Sequence, residues 1–389
     1  MAGALAIGGL LTTQDYGYYF MRGASEPALI ACTLWAIDRL LEGRRGAAFW
    51  LMVAASLIRP EWWPYTVAFA AWLAVRGGRG WESWRGRSIL LGGLLLIPLG
   101  WFGPPWLGGD DPLLAARNAS LYNGQLGADP LRAIVGRAFD DQIWPLLAFA
   151  FAFVVYVLVQ DARRGGLSAR GRTVGALAAF VGAWWVEVIL MTLWLGYPGL
   201  ERFFLPAAAV VCVLGGVGMA MVARGVGAWV VGRWPGRGAR PRDRRGAATL
   251  GGVLLAAIVA GSALASRPAV DLLIGSEGQA ALAQRTLDGL SQSVDAAGGI
   301  AAVLPCASSF AAVNHSAQPA LAWYLRVTLE RVGSAMTRSG VDFIGPADIA
   351  TGIPAAIDPS LTHDRVVARS GAWTAVALSR RAGEGCVGH

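Results

Sequence analysis

The sequence predicts an all-α polytopic membrane bundle of about nine transmembrane helices, followed by a small extracytoplasmic α/β domain. The first observation is composition: 55% of the 389 residues are hydrophobic and 15% are charged, against about 25% charged in ordinary soluble domains. The second is that long apolar runs recur through residues 1–266. The third is that this pattern stops, so that 267–389 contains no span-length apolar run.

The expected spans are apolar runs separated by charged or turn-forming segments. They lie at 1–13, 27–41, 47–59, 64–75, 88–103, 143–160, 173–195, 203–222 and 247–265. Several are shorter than the roughly 20 residues of a standard transmembrane helix. The first run also lacks the basic segment that begins a secretory signal peptide.

Arginine gives the expected orientation, since the chain has no lysine. Alternate connecting segments hold 18 of the 33 basic residues, and they are 39–46, 76–87, 161–172 and 224–246. Under the positive-inside rule these segments are cytoplasmic. We therefore expect a bacterial plasma-membrane protein with a cytoplasmic N-terminus and an extracytoplasmic C-terminal domain. The net charge of +8 then reflects topology and contact with membrane lipids, and no nucleic-acid partner is expected.

The outer loop 104–142 is expected to carry amphipathic helices. Asp111-Pro112 and Asp129-Pro130 both match the start of a helix, with Asp as N-cap and Pro at the first helical position. After Asp129, apolar residues at helical spacing share one face, including Ile134 and Ala138. We expect this helix to lie on the outer membrane surface.

The C-terminal segment is expected to mix strands and a helix. IAAVLP (300–305) and WTAVALS (373–379) are typical of buried strands, and PALAWYLRVTLERV (319–332) is typical of a helix. Cys306 and Cys386 are able to pair if this domain is extracytoplasmic, and the sequence leaves that open.

Two short outer turns combine a carboxylate with a guanidinium group. They are Arg59-Pro60-Glu61 and the segment from Tyr197 to Glu201-Arg202. A carboxylate can bind a sugar hydroxyl or act as a base, and a guanidinium group suits a phosphate. The alternative is that both are salt-bridged turns at the membrane surface.

Glu187 lies about eight residues below the outer end of its span, roughly 12 Å deep. An acid at that depth indicates a functional site that faces a cavity and a partner. The alternative is a neutral or hydrogen-bonded Glu in helix packing. With three His and no Cys cluster, zinc chemistry is not expected. The outer loops contain no DxD motif, and the adjacent pairs Asp110-Asp111 and Asp140-Asp141 are a weaker metal signal, so the cofactor stays unknown and a divalent metal ion is left open.

Three stretches together resemble bacterial GT-C-type membrane glycosyltransferases. They are LIRPEWWPYTVAFAAWLA, WFGPPWLGGDDPLLAARNA and YPGLERFFLPAAAVVCVLGGVG. The likeness is to actinobacterial members related to the dolichyl-phosphate-mannose and aminoarabinose transferase clan, and it covers about residues 15–225. It implies an inverting transfer of a sugar from a polyprenyl-phosphate donor to a cell-envelope acceptor at the outer face.

In that clan the catalytic Asp usually lies in the first outer loop, directly after the first span. This sequence departs from that pattern. RGASEPALIACTLW (22–35) resembles the start of a later span, so we expect about two N-terminal spans and the loop with the base to be missing. The catalytic candidates are Glu61 and Asp15. The substrate-binding candidates are Arg59, Glu187, Tyr197, Glu201 and Arg202. A transporter or lipid flippase, favoured by Glu187, and a non-catalytic scaffold are the alternative functions, and the oligomeric state is left open.

Overall fold

The computed structural model is mostly helical and carries a small C-terminal strand region. It describes residues 2–13, 16–21, 23–109, 112–113, 129–140, 142–195, 197, 199–232, 249, 253, 256, 260–261, 267–347, 352 and 354–381. The chain divides into two compact units, which are described separately. The first comprises Met1–Gly100 with Ala116–Glu277, and the second comprises Trp101–Ala115 with Gly278–His389.

The helices follow the apolar runs of the sequence. In chain order they are α1 (Ala2–Leu11), α2 (Tyr16–Met21), α3 (Ser25–Leu41), α4 (Arg45–Ile58), α5 (Trp63–Arg76), α6 (Arg79–Glu82), α7 (Trp84–Gly109), α8 (Pro130–Asp140), α9 (Trp144–Arg163), α10 (Ala169–Leu195), α11 (Leu205–Gly232), α12 (Arg267–Ala296), α13 (Gly299–Val303) and α14 (Gln318–Leu325). The apolar run at 247–265 lies largely outside the described residues.

Four segments among the described residues are long and apolar enough to cross a membrane. They are Trp84–Leu107, Trp144–Arg163, Ala169–Leu195 and Glu201–Val226. The expectation of about nine spans is therefore not confirmed. Helices α3, α4 and α5 have only 17, 14 and 14 residues, fewer than the roughly 20 that a standard span needs.

Helix α11 is the central helix of the first unit. Its apolar span is 78% buried, against 17% to 28% for the other three. Small residues allow this burial, because a Cβ at Gly215 would lie 2.4 Å from the Leu146 carbonyl oxygen and one at Gly218 would lie 2.5 Å from that of Phe149. Both carbonyls belong to α9, so glycine lets the two helix backbones approach closely.

The break between α4 and α5 places charged residues at one end of this unit. Helix α4 ends at Ile58 because Arg59 is extended, with φ −144° and ψ 133°. Pro60 then opens a short 3-10 helix, Pro60–Trp62, and Pro64 occupies the first turn of α5. Proline fits helix starts, where its missing N–H is not needed. This turn therefore holds Arg59 and Glu61 between two helices.

The second unit contains a five-stranded sheet of order β2-β1-β4-β7-β6. The strands are β1 (Phe310–Val313), β2 (Val332–Gly333), β4 (Gly340–Ile344), β6 (His363–Ser370) and β7 (Trp373–Ser379). A separate parallel pair joins β3 (Ala335–Met336) and β5 (Ala356–Ile357). Strands β2 and β4 run parallel to β1, while β7 runs antiparallel to both β4 and β6.

The expectations for this unit were partly right. The buried strand at 373–379 is confirmed as β7. The strand expected at 300–305 is wrong, because α13 forms there after two positive-φ glycines, Gly298 and Gly299. The helix expected over 319–332 ends at Leu325, since Arg326 adopts a left-handed conformation with φ 53°.

Candidate functional site

Glu26 joins two arginines from distant parts of the chain. It lies in the first turn of α3 and is buried. Arg59 donates a hydrogen bond to its Oε1, and Arg202 Nε lies 3.7 Å from the same oxygen. A buried charge requires a partner of opposite sign. One carboxylate therefore links the α4–α5 turn with the 3-10 helix Glu201–Phe204.

Glu61 and Tyr197 form a second link, between the α4–α5 turn and the residues that precede this 3-10 helix. The Tyr197 hydroxyl donates a hydrogen bond to Glu61 Oε1 at 2.9 Å. Burial raises the pKa of this hydroxyl, and the Glu61 carboxylate raises it further. Tyr197 therefore stays protonated at neutral pH and acts as a donor, which orients the Glu61 carboxylate.

Glu187 lies on α10 close to this pair. Tyr65, in the first turns of α5, forms a hydrogen bond with its carboxylate, and the Glu61 carboxylate repels it. Each of the two acids thus contacts a phenol from another element. This arrangement brings Glu187, on α10, and the α4–α5 turn into one cluster.

Aromatic rings enclose the cluster. The guanidinium groups of Arg59 and Arg202 lie 4.7 Å and 5.5 Å from the centre of the Phe203 ring. Trp184 donates a hydrogen bond to the Phe203 carbonyl at 2.7 Å, which fixes this segment against α10. The rings of Trp62, Tyr65 and Trp184 lie 5.6 Å apart from one another.

Helix α8 holds the segment that carries Tyr197 and Arg202. Arg137 donates a hydrogen bond to the Gly199 carbonyl at 2.9 Å, and its Nε lies 3.5 Å from Glu201 Oε1. Ile134 is fully buried, and a Cβ at Gly199 would lie 2.6 Å from its Cδ1. Gly199 also has φ 53°, so both the lack of space for a Cβ and the backbone conformation favour glycine at this position. Ile134 and Ala138 on the apolar face of α8 thus pack on protein, while Leu131 on the same face is exposed.

Several polar atoms of the cluster are buried without a hydrogen-bond partner among the described residues. They are Glu61 Oε2, Trp62 Nε1, Glu187 Oε2 and Arg202 Nε. Most buried polar groups in folded proteins are hydrogen-bonded, so unpartnered ones call for an explanation. The four atoms offer acceptors and donors to a ligand.

No protein-family model matches this chain, and no curated protein or solved structure is significantly similar to it. The chemistry that the cluster can carry out is therefore inferred from its own residues alone. Among the described residues no group of three or more His, Cys, Asp or Glu is arranged to hold a metal ion. The cluster instead combines carboxylates, guanidinium groups, phenols and indoles.

The structure brings most of the candidate residues together. Arg59, Glu61, Glu187, Tyr197 and Arg202 meet in the cluster. Glu201 lies at its edge with Arg137. Asp15 lies outside the described residues.

Glu26 is the member that sequence reasoning missed as a site residue. An acid in the first turn of a helix is expected from the helix dipole alone, so its position offered no distinction. The one available indication in the sequence was that Glu26 stands directly before the apolar run at 27–41.

Proposed function

We propose that this protein is a membrane-embedded inverting glycosyltransferase that transfers a sugar from a polyprenyl-phosphate donor to a cell-envelope acceptor. The observation that carries the proposal is the convergence of two distant acid–arginine turns. Glu61 and Arg59 from one turn meet Tyr197 and Arg202 from the other in a single buried cluster. The resemblance of these same turns to GT-C-type enzymes supports the same reaction.

Glu61 is the proposed base. Its Oε1 is held by Tyr197, and its Oε2 has no hydrogen-bond partner among the described residues. In the reaction the acceptor hydroxyl oxygen attacks the anomeric carbon of the sugar, and its proton passes to Glu61 Oε2. The bond between that carbon and the phosphate oxygen breaks, and polyprenyl phosphate leaves with the electron pair.

Arg202 and Arg59 are the proposed phosphate ligands. The Arg202 side chain is 37% exposed and that of Arg59 is 11% exposed, so Arg202 is the more accessible of the two. Negative charge grows on the departing phosphate, and fixed guanidinium groups stabilise it there. Glu26 holds both groups in place before the donor arrives.

The proposed location is the outer face of a bacterial plasma membrane, with a cytoplasmic N-terminus and an extracytoplasmic C-terminal domain. The alternation of Arg-rich segments supports this orientation. Cys306 is disulfide-bonded, and disulfides persist mainly in oxidising compartments.

Sugar transfer in nanodiscs tests the proposal. The purified protein is incubated with a panel of polyprenyl-phosphate sugars, radiolabelled in the sugar, and a cell-envelope extract as acceptor. We expect transfer with at least one donor and a loss of about 100-fold or more in Glu61→Gln, because a general base contributes about that much. Arg202→Gln is expected to raise the KM for the donor.

Glu42→Gln is the matched control. It changes an exposed carboxylate just after α3, away from the cluster. Unchanged transfer by a folded Arg59→Ala/Glu61→Ala double variant would contradict the proposed roles. No transfer with any donor by the wild type would instead favour a scaffold.

A transporter is the second candidate, and Glu187 favours it. Intramembrane acids mark ion and proton pathways in transporters. Proton-driven substrate uptake by proteoliposomes, lost in Glu187→Gln, would support this function over transfer.

A further inference from the structure

We propose that the cluster binds a phosphate ligand that also carries a primary ammonium group, of the kind found in a phosphoethanolamine headgroup. This inference goes beyond the proposed transfer reaction and does not require it. It concerns Glu187, which the transfer mechanism leaves unused, together with Glu61 Oε2 and Arg202, which that mechanism uses as base and phosphate ligand.

The acids of the cluster outnumber its arginines. Glu26, Glu61 and Glu187 supply three carboxyl groups, while Arg59 and Arg202 supply two guanidinium groups. Glu26 Oε1 contacts both guanidinium groups, so they are already shared with one acid. With all three acids ionised, the cluster carries one net negative charge, and a cation stabilises that state.

Two free oxygens define where that cation binds. Glu61 is only 1% exposed, and its Oε2 is buried without a hydrogen-bond partner among the described residues. Glu187 Oε2 is likewise buried without a hydrogen-bond partner among the described residues, and the charges of the two carboxylates repel each other. A primary ammonium group has three N–H donors and one positive charge, so it satisfies both oxygens and removes the repulsion.

The aromatic rings favour an organic cation. Trp62, Tyr65 and Trp184 are close neighbours of the two acids in sequence or in space. The faces of such rings attract ammonium groups. Ca²⁺ or Mg²⁺ fits less well, because each takes about six or more oxygen ligands and the described residues contain no suitable acidic group of three.

The phosphate of the same ligand is assigned to Arg202. Its Nε is buried without a hydrogen-bond partner among the described residues, while the side chain as a whole is 37% exposed. The Nε faces Glu26 Oε1 at 3.7 Å, so the exposed remainder of the side chain is the part that a ligand can reach. Arg202 and Glu61 are linked through Tyr197 and Phe203, whose ring centres lie 4.7 Å apart. A zwitterionic ligand has one charge for each end of this chain of contacts.

Native mass spectrometry of the delipidated full chain in detergent tests the inference. The probes are dioleoyl phosphatidylethanolamine and dioleoyl phosphatidylglycerol, which share a phosphate and differ in the ammonium group. We expect the wild type to bind the ethanolamine lipid about tenfold more tightly, the usual scale for charge-assisted hydrogen bonds. Soluble phosphoethanolamine is added as a competitor: competition indicates a free headgroup as the source, and its failure to compete indicates a bilayer lipid.

The variants separate the two ends of the ligand. Glu187→Gln is expected to bring the two lipids to equal affinity, Arg202→Gln to weaken both, and Glu42→Gln to keep the wild-type preference. Equal affinities of the wild type for the two lipids would overturn the inference, because they would mean that a proton and not an ammonium group neutralises the acids. This comparison does not depend on any variant folding. A retained preference in folded Glu187→Gln would overturn it as well. Lipid preference without sugar transfer would leave this inference standing and remove the proposed function.

Discussion

At the scale of single residues, the position of Glu26 decides how the cluster is built. One oxygen of this side chain contacts both Arg59 and Arg202, and the residue is almost fully buried. The sequence predicted that Arg59, Glu61, Tyr197 and Arg202 carry chemistry, because charges in short turns between apolar runs are rare. It did not predict which acid faces which arginine, since that depends on helix packing between segments far apart in the chain.

Asp342 is a second buried acid, on the central strand β4 of the second unit. It is 2% exposed, and its Oδ1 has no hydrogen-bond partner among the described residues. The strand register places Ala312 and Val376 beside it. Burial raises the pKa of this carboxyl from its ordinary value of 3.8 to about 6. The charged form therefore destabilises the strand, by about 3 kcal/mol once it is fully formed.

This shift predicts a pH-dependent opening of β4. The folded pKa lies above the unfolded one, so stability is highest below pH 3.8 and falls as the pH rises towards 6 and above. Asp342→Asn removes the titrating group. Hydrogen exchange followed by mass spectrometry on the full chain is expected to show slower exchange of β4 in the variant at pH 7.5, with the difference shrinking towards pH 4. A constant difference across this range would contradict the assignment.

At the scale of elements, the contact between α9 and α11 rests on glycine. A Cβ at Gly215 would lie 2.4 Å from the Leu146 carbonyl oxygen, a backbone atom that moves only with its helix. We predict that Gly215→Ala destabilises the first unit by about 1–3 kcal/mol through overpacking. The measurement is the midpoint of thermal unfolding in detergent.

Gly225→Ala provides the matched control for this prediction. It lies on the same helix, and a Cβ added there would have nothing within 4 Å of it. Alanine has the higher helix propensity, so this variant is expected to unfold at the same or a slightly higher temperature. A fall in Gly225→Ala equal to that in Gly215→Ala would point to a general intolerance of α11 instead.

The elements were predictable to different degrees. Long apolar runs predicted α9, α10 and α11 because hydrophobicity alone separates them from loops. Short runs did not decide between helix and strand, and IAAVLP became α13. In the structure Val303 is buried while Ile300 is 45% exposed, so only the end of this short helix is buried. Strands β1 and β4 were not predicted because each has only four or five residues.

At the scale of the whole molecule, the cysteines report on topology. Cys306 is disulfide-bonded, and Cys32 and Cys212 are free thiols. The sequence contains four cysteines, so we predict an intramolecular bond from Cys306 to Cys386, which lies outside the described residues. Peptide mapping without reductant is expected to recover the linked peptides.

Intact cells test the orientation of that bond. After treatment with a membrane-impermeant phosphine, a membrane-impermeant maleimide is expected to label Cys306, because the proposed topology places it outside. Cys32 and Cys212 lie in apolar helices and serve as internal controls that stay unlabelled. Labelling of Cys306 only in permeabilised cells would reverse the proposed orientation.

The number of spans was the least predictable property of the whole chain. Arginine alternation counts segments, but it does not say whether an apolar run of 14 residues crosses a bilayer. Helices α4 and α5 illustrate the difficulty, since Arg59 and Pro60 between them, with Pro64 in the first turn of α5, divide one apolar stretch into two short helices. Four described segments meet the length of a span.

The shared oxygen of Glu26 also bears on how the protein is made. The ribosome synthesises Glu26 and Arg59 well before Arg202, so the third charged partner does not yet exist when the first two have been made. The ion pair between Glu26 and Arg59 needs only α3 and the α4–α5 turn, so it can form before Arg202 is present. Arg202 then joins a carboxylate that Arg59 already neutralises. Arg202 is therefore the arginine whose charge is more fully available to a ligand.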